Sequence, residues 1–472
     1  MFFDLKSYLL GKHGGAYTPP ADLPSYLMGK KKSFKKEHYG WHVDPSIEDP
    51  TNAVTYLMDA VGKTPAYMGA EAFSYGDWSD AFFIPKPCMV GFDGKVKYYL
   101  DPNDYSKKLD GTRSDYDDLS YDGNVMVEFP LIWWKFEAGE AEGEGYFYVA
   151  NYQVDETYHC WSNINSQNKV TPTFYMAVYN GCTYNGKMRS ISGLKLTPWP
   201  TTAYSASATY AVGARVNYNG NAYECITAVE TAEAFDPEKW EQYAYNCNTS
   251  GQQEVDAALA NNTHTAVEWY IDVFSDTMLK SGLLTLVSKS MDSQGKYGRG
   301  IDSGSQSAKE AYITGSLDDK GLFYGTTANG TKAVKALGME NPWSLCWRRT
   351  AGLVGASNGY RYKMTYSTAD GSTAEGYNSN GSNYLLCEIT RPAGGYVSKM
   401  LYGEWGVVPL SVTGGGASKY YCDNSWQGTS FPLFGGSSAG GLDCGLWCAN
   451  LITAFSLRYW PIGAFLSCKP LV

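Results

Sequence analysis

Along most of the chain the apolar positions come in short bursts that alternate with polar ones and stop at Gly, Pro, Asn or Asp. A period of two over such bursts marks half-buried strands, because successive side chains on a strand point to opposite faces. Tyr98-Tyr99-Leu100 after the turn Phe92-Asp93-Gly94-Lys95 predicts a hairpin. Val125-Met126-Val127-Glu128-Phe129 reads as a further strand. Ile132-Trp133-Trp134-Lys135-Phe136 and Tyr146-Phe147-Tyr148-Val149 then read as aromatic strands of a long hairpin around Glu137 to Gly145, whose acids solvate the tip. One segment has helical spacing: between Thr265 and Lys280, Ala266, Trp269, Tyr270, Val273, Phe274 and Met278 fall on one face and predict an amphipathic helix packed on a core. After Gly282 the apolar fragments, such as Tyr384-Leu385-Leu386-Cys387, are too short for helices. The C-terminal half therefore reads as loop-rich and strand-based.

The first residues carry a small repeat, Ser7-Tyr8-Leu9-Leu10-Gly11-Lys12 and Ser25-Tyr26-Leu27-Met28-Gly29-Lys30, separated by a segment with Pro19, Pro20 and Pro24. Two short amphipathic pieces on a stiff spacer read either as a docking arm or as a disordered terminus.

Composition narrows the classes. At 472 residues the chain has room for roughly two to four domains. Charged residues are 18% and aromatics 15%, with 39 Tyr, 14 Trp and 51 Gly, a blend that suits short strands, turns and recognition rings and does not suit a helical bundle. The net charge of −10 argues against a nucleic-acid partner, which needs clustered Lys and Arg. The one basic run, Lys30 to Lys36, reads as a solvated face or an attachment element. No apolar stretch approaches membrane-spanning length, and Asp4 stands where a signal peptide needs apolar residues, so a protein made and folded in a cytoplasm, without membrane insertion, is expected.

Eleven Cys, an odd number spread from Cys88 to Cys468, point to buried reduced thiols. Cys444 and Cys448 could share a helix face as metal ligands, but no His follows His264 to complete a site, so neither metal nor cofactor is expected. Gly436-Ser437-Ser438-Ala439-Gly440 fits a nucleophile elbow without the catalytic His downstream, and reads as a loop. Gly181 to Lys187 resembles a phosphate-binding loop, but Met188 replaces the metal-binding hydroxyl, leaving a strand-end turn. The five His form no metalloprotease pair. Paired carboxylates are set by three-dimensional spacing and leave no sequence signature. No catalytic residue is assigned.

The stretch from Tyr210 through Val216, Tyr218, Asn219-Gly220 and Tyr223 to Cys225, followed by Phe235-Asp-Pro-Glu-Lys-Trp240, resembles the small chitin-binding-type carbohydrate-binding modules. Val216, Tyr218 and Tyr223 alternate around Asn219-Gly220 as in a hairpin, and Trp240 would close the structure. The resemblance implies carbohydrate binding through Tyr210, Tyr218, Tyr223 and Trp240, whose rings would stack on sugar faces. Many sugar-binding members have two Trp where this chain has Ile226-Thr227-Ala228.

A second resemblance rests on Gly123-Asn-Val-Met-Val-Glu-Phe-Pro130, Arg189-Ser-Ile-Ser-Gly193, Ser293-Gln294, Gly338-Met-Glu-Asn-Pro-Trp343, Leu433-Phe-Gly-Gly436, Cys444-Gly-Leu-Trp447 and Trp460-Pro-Ile-Gly-Ala-Phe-Leu466. These phrases are similar to phage tail and fibre proteins with a C-type-lectin or formylglycine-generating-enzyme-like fold. The likeness implies a receptor-binding surface near the C-terminus, formed by Tyr420, Tyr421, Asn424, Trp426, Tyr459 and Trp460. The chain lacks an equivalent of the reactive Cys pair of the enzyme relatives.

The expected architecture is α+β, mostly β. It comprises an attachment arm over 1–36, a small β-rich domain over 37–120, a C-type-lectin-like domain over 121–202 and 246–472, and an inserted carbohydrate-binding-type module over 203–245. The expected function is adhesion by a bacteriophage virion subunit, a tail fibre or receptor-binding protein and not an enzyme. Its partners would be other virion structural proteins and a host-surface glycan or protein, in a homo-oligomer with a trimer favoured. Two rivals remain: a head-fibre, collar or decoration protein that only packs against neighbours, and a tail-associated glycan depolymerase.

Overall fold

The computed structural model describes residues 35–70, 72–356, 358–364, 384–390, 392, 395–413, 423–426 and 431–471. The chain divides into two units, Met1–Glu37 and His38–Val472. Of the first, the described end carries an ion pair between Lys35 Nζ and Glu37 (2.9 Å). The repeat at 7–12 and 25–30 lies outside the described residues.

The second unit is mostly β, 40% strand against 11% helix, the α+β class that the patterning predicts. A four-stranded sheet places His38–Val43 between Val54–Met58 and Gly145–Ala150, with Trp133–Ala138 outermost. The expected hairpin is here: Phe147 faces Phe136 and Val149 faces Trp134. Its alternation is real, since Trp134, Phe136, Phe147 and Val149 are buried while Lys135, Tyr146 and Tyr148 keep contact with solvent.

A seven-stranded sheet runs in the order Val267–Ile271, Leu466–Pro470, Thr173–Ala177, Gly123–Pro130, Lys86–Gly91, Val96–Asp101, Asp104–Lys108. The predicted hairpin through Asp93-Gly94 joins Lys86–Gly91 to Val96–Asp101. The same sheet corrects the domain plan. Lys86–Gly91 pairs along its whole length with Gly123–Pro130, so residues 37–120 are not a separate β domain and share one core with the strands beyond residue 120.

The helix expected over 265–280 is also corrected. Val267–Ile271 is a fully buried strand paired with Leu466–Pro470, and the helix is Phe274–Ser288, buried on every side. A β-branched and aromatic run enclosed on both faces loses its period of two and mimics helical spacing. The helix packs between the four-stranded sheet and a second seven-stranded sheet, which contains Gly395–Gly403, Gly406–Thr413, Gly445–Thr453 and Phe431–Gly435. Trp41 Nε1 donates to Gly282 O (3.0 Å), and Phe274 lies 6.1 Å from Phe434, ring to ring. Gly282 permits this approach: a Cβ there would stand 2.6 Å from the Phe147 ring.

Buried charge is paired where this last sheet meets the rest. Arg349 Nε donates to Glu254 (2.6 Å), and Arg348 bonds Asp272 and lies over the Phe465 ring. Of the ten described cysteines all are free, nine are buried and Cys387 is half-buried. Cys444 follows a short 3-10 turn and Cys448 lies in the strand Gly445–Thr453, so they share no helix face. Gly436 to Gly440 follows the strand Phe431–Gly435 as a loop, and Gly181 to Lys187 forms the turn of the hairpin Cys182–Tyr184 to Lys187–Arg189. Among the described residues no helix is long and apolar enough to cross a membrane, and no group of His, Cys, Asp and Glu could hold a metal ion.

Candidate carbohydrate-binding site

The segment from 203 to 245 leaves and re-enters the rest of the second unit at one place. Thr197–Pro198 and Tyr245–Cys247 pair in parallel, and Trp199 N donates to Cys247 O (2.7 Å). Between them Arg215–Tyr218, Asn221–Cys225 and Trp240–Tyr243 form a three-stranded antiparallel sheet. Its first turn is Asn219-Gly220, with φ of +47° and +78°, a left-handed pair that Asn and Gly adopt at low cost and that matches the twist of the strands it joins.

The register divides the side chains. Val216 lies opposite Tyr223 and Cys225 opposite Trp240, so these residues and Tyr218 share one face. Ala222 is on the other face and packs with Trp199 and Tyr245, with Tyr243 against them. One face thus docks on the host unit while the other makes a core of its own.

That core is small: Val216, Cys225, Val229 and Trp240 are its buried members. Rings surround it. Trp240 meets Tyr210 at 5.1 Å and Tyr204 at 5.6 Å, edge to face, and Phe235 at 5.8 Å. Phe235 stacks on Tyr218 at 4.1 Å and 12°, and meets Tyr223 at 4.9 Å. Except for Trp240 every one of these rings is half-buried. Half-buried aromatic rings can offer a face to the C–H surface of sugars. Residues 203–242 match the model of carbohydrate-binding module family 5/12. The match covers the module alone, and no curated protein matches the chain.

Within this module the expected contact residues separate. Trp240 is 4% exposed and belongs to the core, so it is not available to a ligand. Tyr210 clamps the module's entry: its hydroxyl accepts from Ser205 N (2.7 Å) and donates to Ser205 O (3.3 Å), while its ring braces Trp240. Tyr218 and Tyr223 remain as half-buried rings, and Phe235 is enclosed by Tyr204, Tyr218, Tyr223 and Trp240. Phe235 and Tyr204 were not among the expected contacts. Phe235 lay within the matching phrase, but its stacking on Tyr218 bridges a long loop that no local pattern reveals.

The module surface is otherwise of mixed charge. Arg215 pairs with Glu224 (2.8 Å) and Lys239 with Glu233 (2.6 Å), whose hydrogen bond raises the Lys239 pKa. The position of Ile226-Thr227-Ala228 carries an exposed Ile226.

The expected C-terminal surface lies only partly among the described residues. Tyr420 and Tyr421 lie outside the described residues. Asn424 and Trp426 are on the strand Asp423–Trp426, paired with Ala449 and Leu451. Tyr459 and Trp460 precede Ile462–Gly463, at the edge of the same sheet and four strand steps away, about 19 Å at ~4.8 Å per step. Tyr459 is half exposed and its carbonyl accepts from Asn248 N (3.3 Å), close to where the chain leaves the module. Trp460 is half-buried, and its carbonyl accepts from the buried Lys309 ammonium.

Proposed function

We propose that this chain is a glycan-binding adhesion subunit whose module holds carbohydrate on the rings of Tyr218 and Tyr223, which Phe235 supports. The observation that carries the reading is the coincidence of the module match with a cluster of half-buried rings. The chemistry is binding and not turnover: ring faces take the sugar's C–H surface, and polar neighbours such as the half-buried Asn221 on the same sheet face bond its hydroxyls.

The wider setting in this reading is a bacteriophage virion. The protein is a tail-fibre or receptor-binding subunit with a C-type-lectin-like fold, joined to other virion proteins through its N-terminal arm and repeated as a homo-oligomer, with a trimer favoured. Single shallow sugar sites bind weakly, and copies on one particle multiply the affinity without any new contact. Tyr459 and Trp460, beside the module's base, extend the contact surface towards a host glycan or protein. The test is location and blockade. Antibodies against residues 203–245 are expected to decorate the distal tail of intact particles and to block adsorption to host cells. Decoration of the capsid with undiminished adsorption overturns the reading in favour of a head-fibre or decoration protein.

A further inference from the structure

Away from the module, a cleft of about 250 Å³ opens where segments distant in sequence converge. One wall is the 3-10 turn Trp161–Asn163. Others are the end of the strand Gly359–Tyr362 with Lys363, the start of Leu385–Glu388, and the hairpin turn Glu404-Trp405 between Gly395–Gly403 and Gly406–Thr413.

Its lining is chemically specific. The half-buried Tyr362 ring lies 5.1 Å from the Trp405 ring, tilted by 31°, and Trp405, itself buried, backs it from the core. Trp161 supplies a second half-buried ring, held from behind by His159 at 4.3 Å and 26°. His159 is fixed in turn, because its backbone exchanges hydrogen bonds with Trp134 (2.8 and 3.1 Å). The orientation of Trp161 is therefore set by the sheet beneath it.

Glu404 is exposed at the rim and makes no hydrogen bond or ion pair among the described residues. Leu385, also at the rim, is 65% exposed. An exposed leucine, an exposed carboxylate and two half-buried rings are what a packed interior would have covered.

We infer that this cleft is a second carbohydrate site, separate from the module and selective for neutral oligosaccharides. Ring faces match the C–H faces of pyranoses, and the Glu404 carboxylate accepts hydrogen bonds from sugar hydroxyls. With one carboxylate and one lysine in the lining, the cleft carries no net charge to select an acidic or cationic ligand. The inference stands on the cleft alone and does not depend on the module's reading.

The test uses the full chain carrying Tyr218→Ala and Tyr223→Ala, so that the module's rings are absent. It is titrated calorimetrically with chitotetraose, cellotetraose and maltotetraose, and with sialyllactose as an acidic comparison, up to about 10 mM, enough to saturate a site with Kd of about 1 mM. At least one neutral oligosaccharide is expected to bind. Adding Glu404→Gln should weaken it about tenfold, the worth of one hydrogen bond to a charged group, and adding Tyr362→Ala should weaken it at least as much. Glu404 is on the surface, so its variant keeps the fold.

Absence of binding by all three neutral sugars overturns the inference, as does a preference for sialyllactose. Unchanged affinity in both cleft variants overturns it too. Binding that is present in the unmodified chain and vanishes with the module's two tyrosines alone refutes the cleft while leaving the module's reading intact.

Discussion

Replacing Trp240 by Ala separates a ring that builds the module from rings that serve it. Trp240 is 4% exposed and touches Tyr204, Tyr210 and Phe235 at 5.1–5.8 Å. Truncating a buried aromatic costs about 3–5 kcal/mol. A core with four buried members supplies no more than that, because domains of this size bury too little surface to hold a reserve. The module should therefore unfold locally while the larger core, which shares none of those four residues, stays intact. Tyr223→Ala is the contrast. It loses one half-buried ring contact to Phe235, worth about 0.5–1.5 kcal/mol, and the module keeps its fold. Hydrogen exchange read by mass spectrometry over Arg215–Tyr218 and Asn221–Cys225, alongside calorimetry of the main transition, distinguishes them. Trp240→Ala should abolish protection in both strands with the main transition unmoved, and Tyr223→Ala should retain it. Full protection in Trp240→Ala would refute the assignment of that ring to the core.

Gly282→Ala should destabilise the second unit by about 1–3 kcal/mol in urea titration, since the new methyl meets the Phe147 ring at 2.6 Å; a stabilisation of about 1 kcal/mol, the propensity gain, would show that the helix and sheet can part. Burial raises the Glu268 carboxyl to about 7 against the opposing pull of the Ser166 N–H and the Lys469 ammonium. Its folded pKa exceeds its unfolded one, so the stability it contributes is complete below about pH 4.5 and is lost as pH rises through 7. Glu268→Gln should shrink the difference between denaturation midpoints at pH 5 and pH 7.5, and an unchanged difference would contradict the assignment. Burial also raises the thiols, Cys160 and Cys444 to about 12 and Cys346 to about 11, so iodoacetamide under native conditions should label Cys387 first among the ten described cysteines. Equally fast labelling of Cys346 would count against the buried core.

How much of the fold was legible depended on whether an element keeps one face in water. Trp133–Ala138 and Gly145–Ala150 do, and their alternation gave the hairpin directly. Asn219-Gly220 was legible because the turn's backbone demands those residue types. Val267–Ile271 was not, being buried on both faces. Residues 37–120 looked separate because the pairing of Lys86–Gly91 with Gly123–Pro130, and of His38–Val43 with Gly145–Ala150, joins segments by long-range hydrogen bonds that no local pattern encodes. The module's site was half legible. Its residue types marked a sugar-binding scaffold, yet burial alone decided that Trp240 supports the rings and Tyr218 and Tyr223 present them. The cleft was invisible in sequence, since Trp161, Tyr362 and Glu404 come from segments far apart in the chain.

The central claim is that the module's half-buried rings bind glycan, and a glycan array probed with the full chain and with its Tyr218→Ala/Tyr223→Ala variant tests it most directly. The unmodified chain should retain a set of glycans, and loss of the two rings, each an anchor worth about 2 kcal/mol, should remove or strongly weaken the part of that set held by the module while hydrogen exchange shows the module still folded. A folded double variant with the same glycan profile and affinities as the unmodified chain would contradict the account.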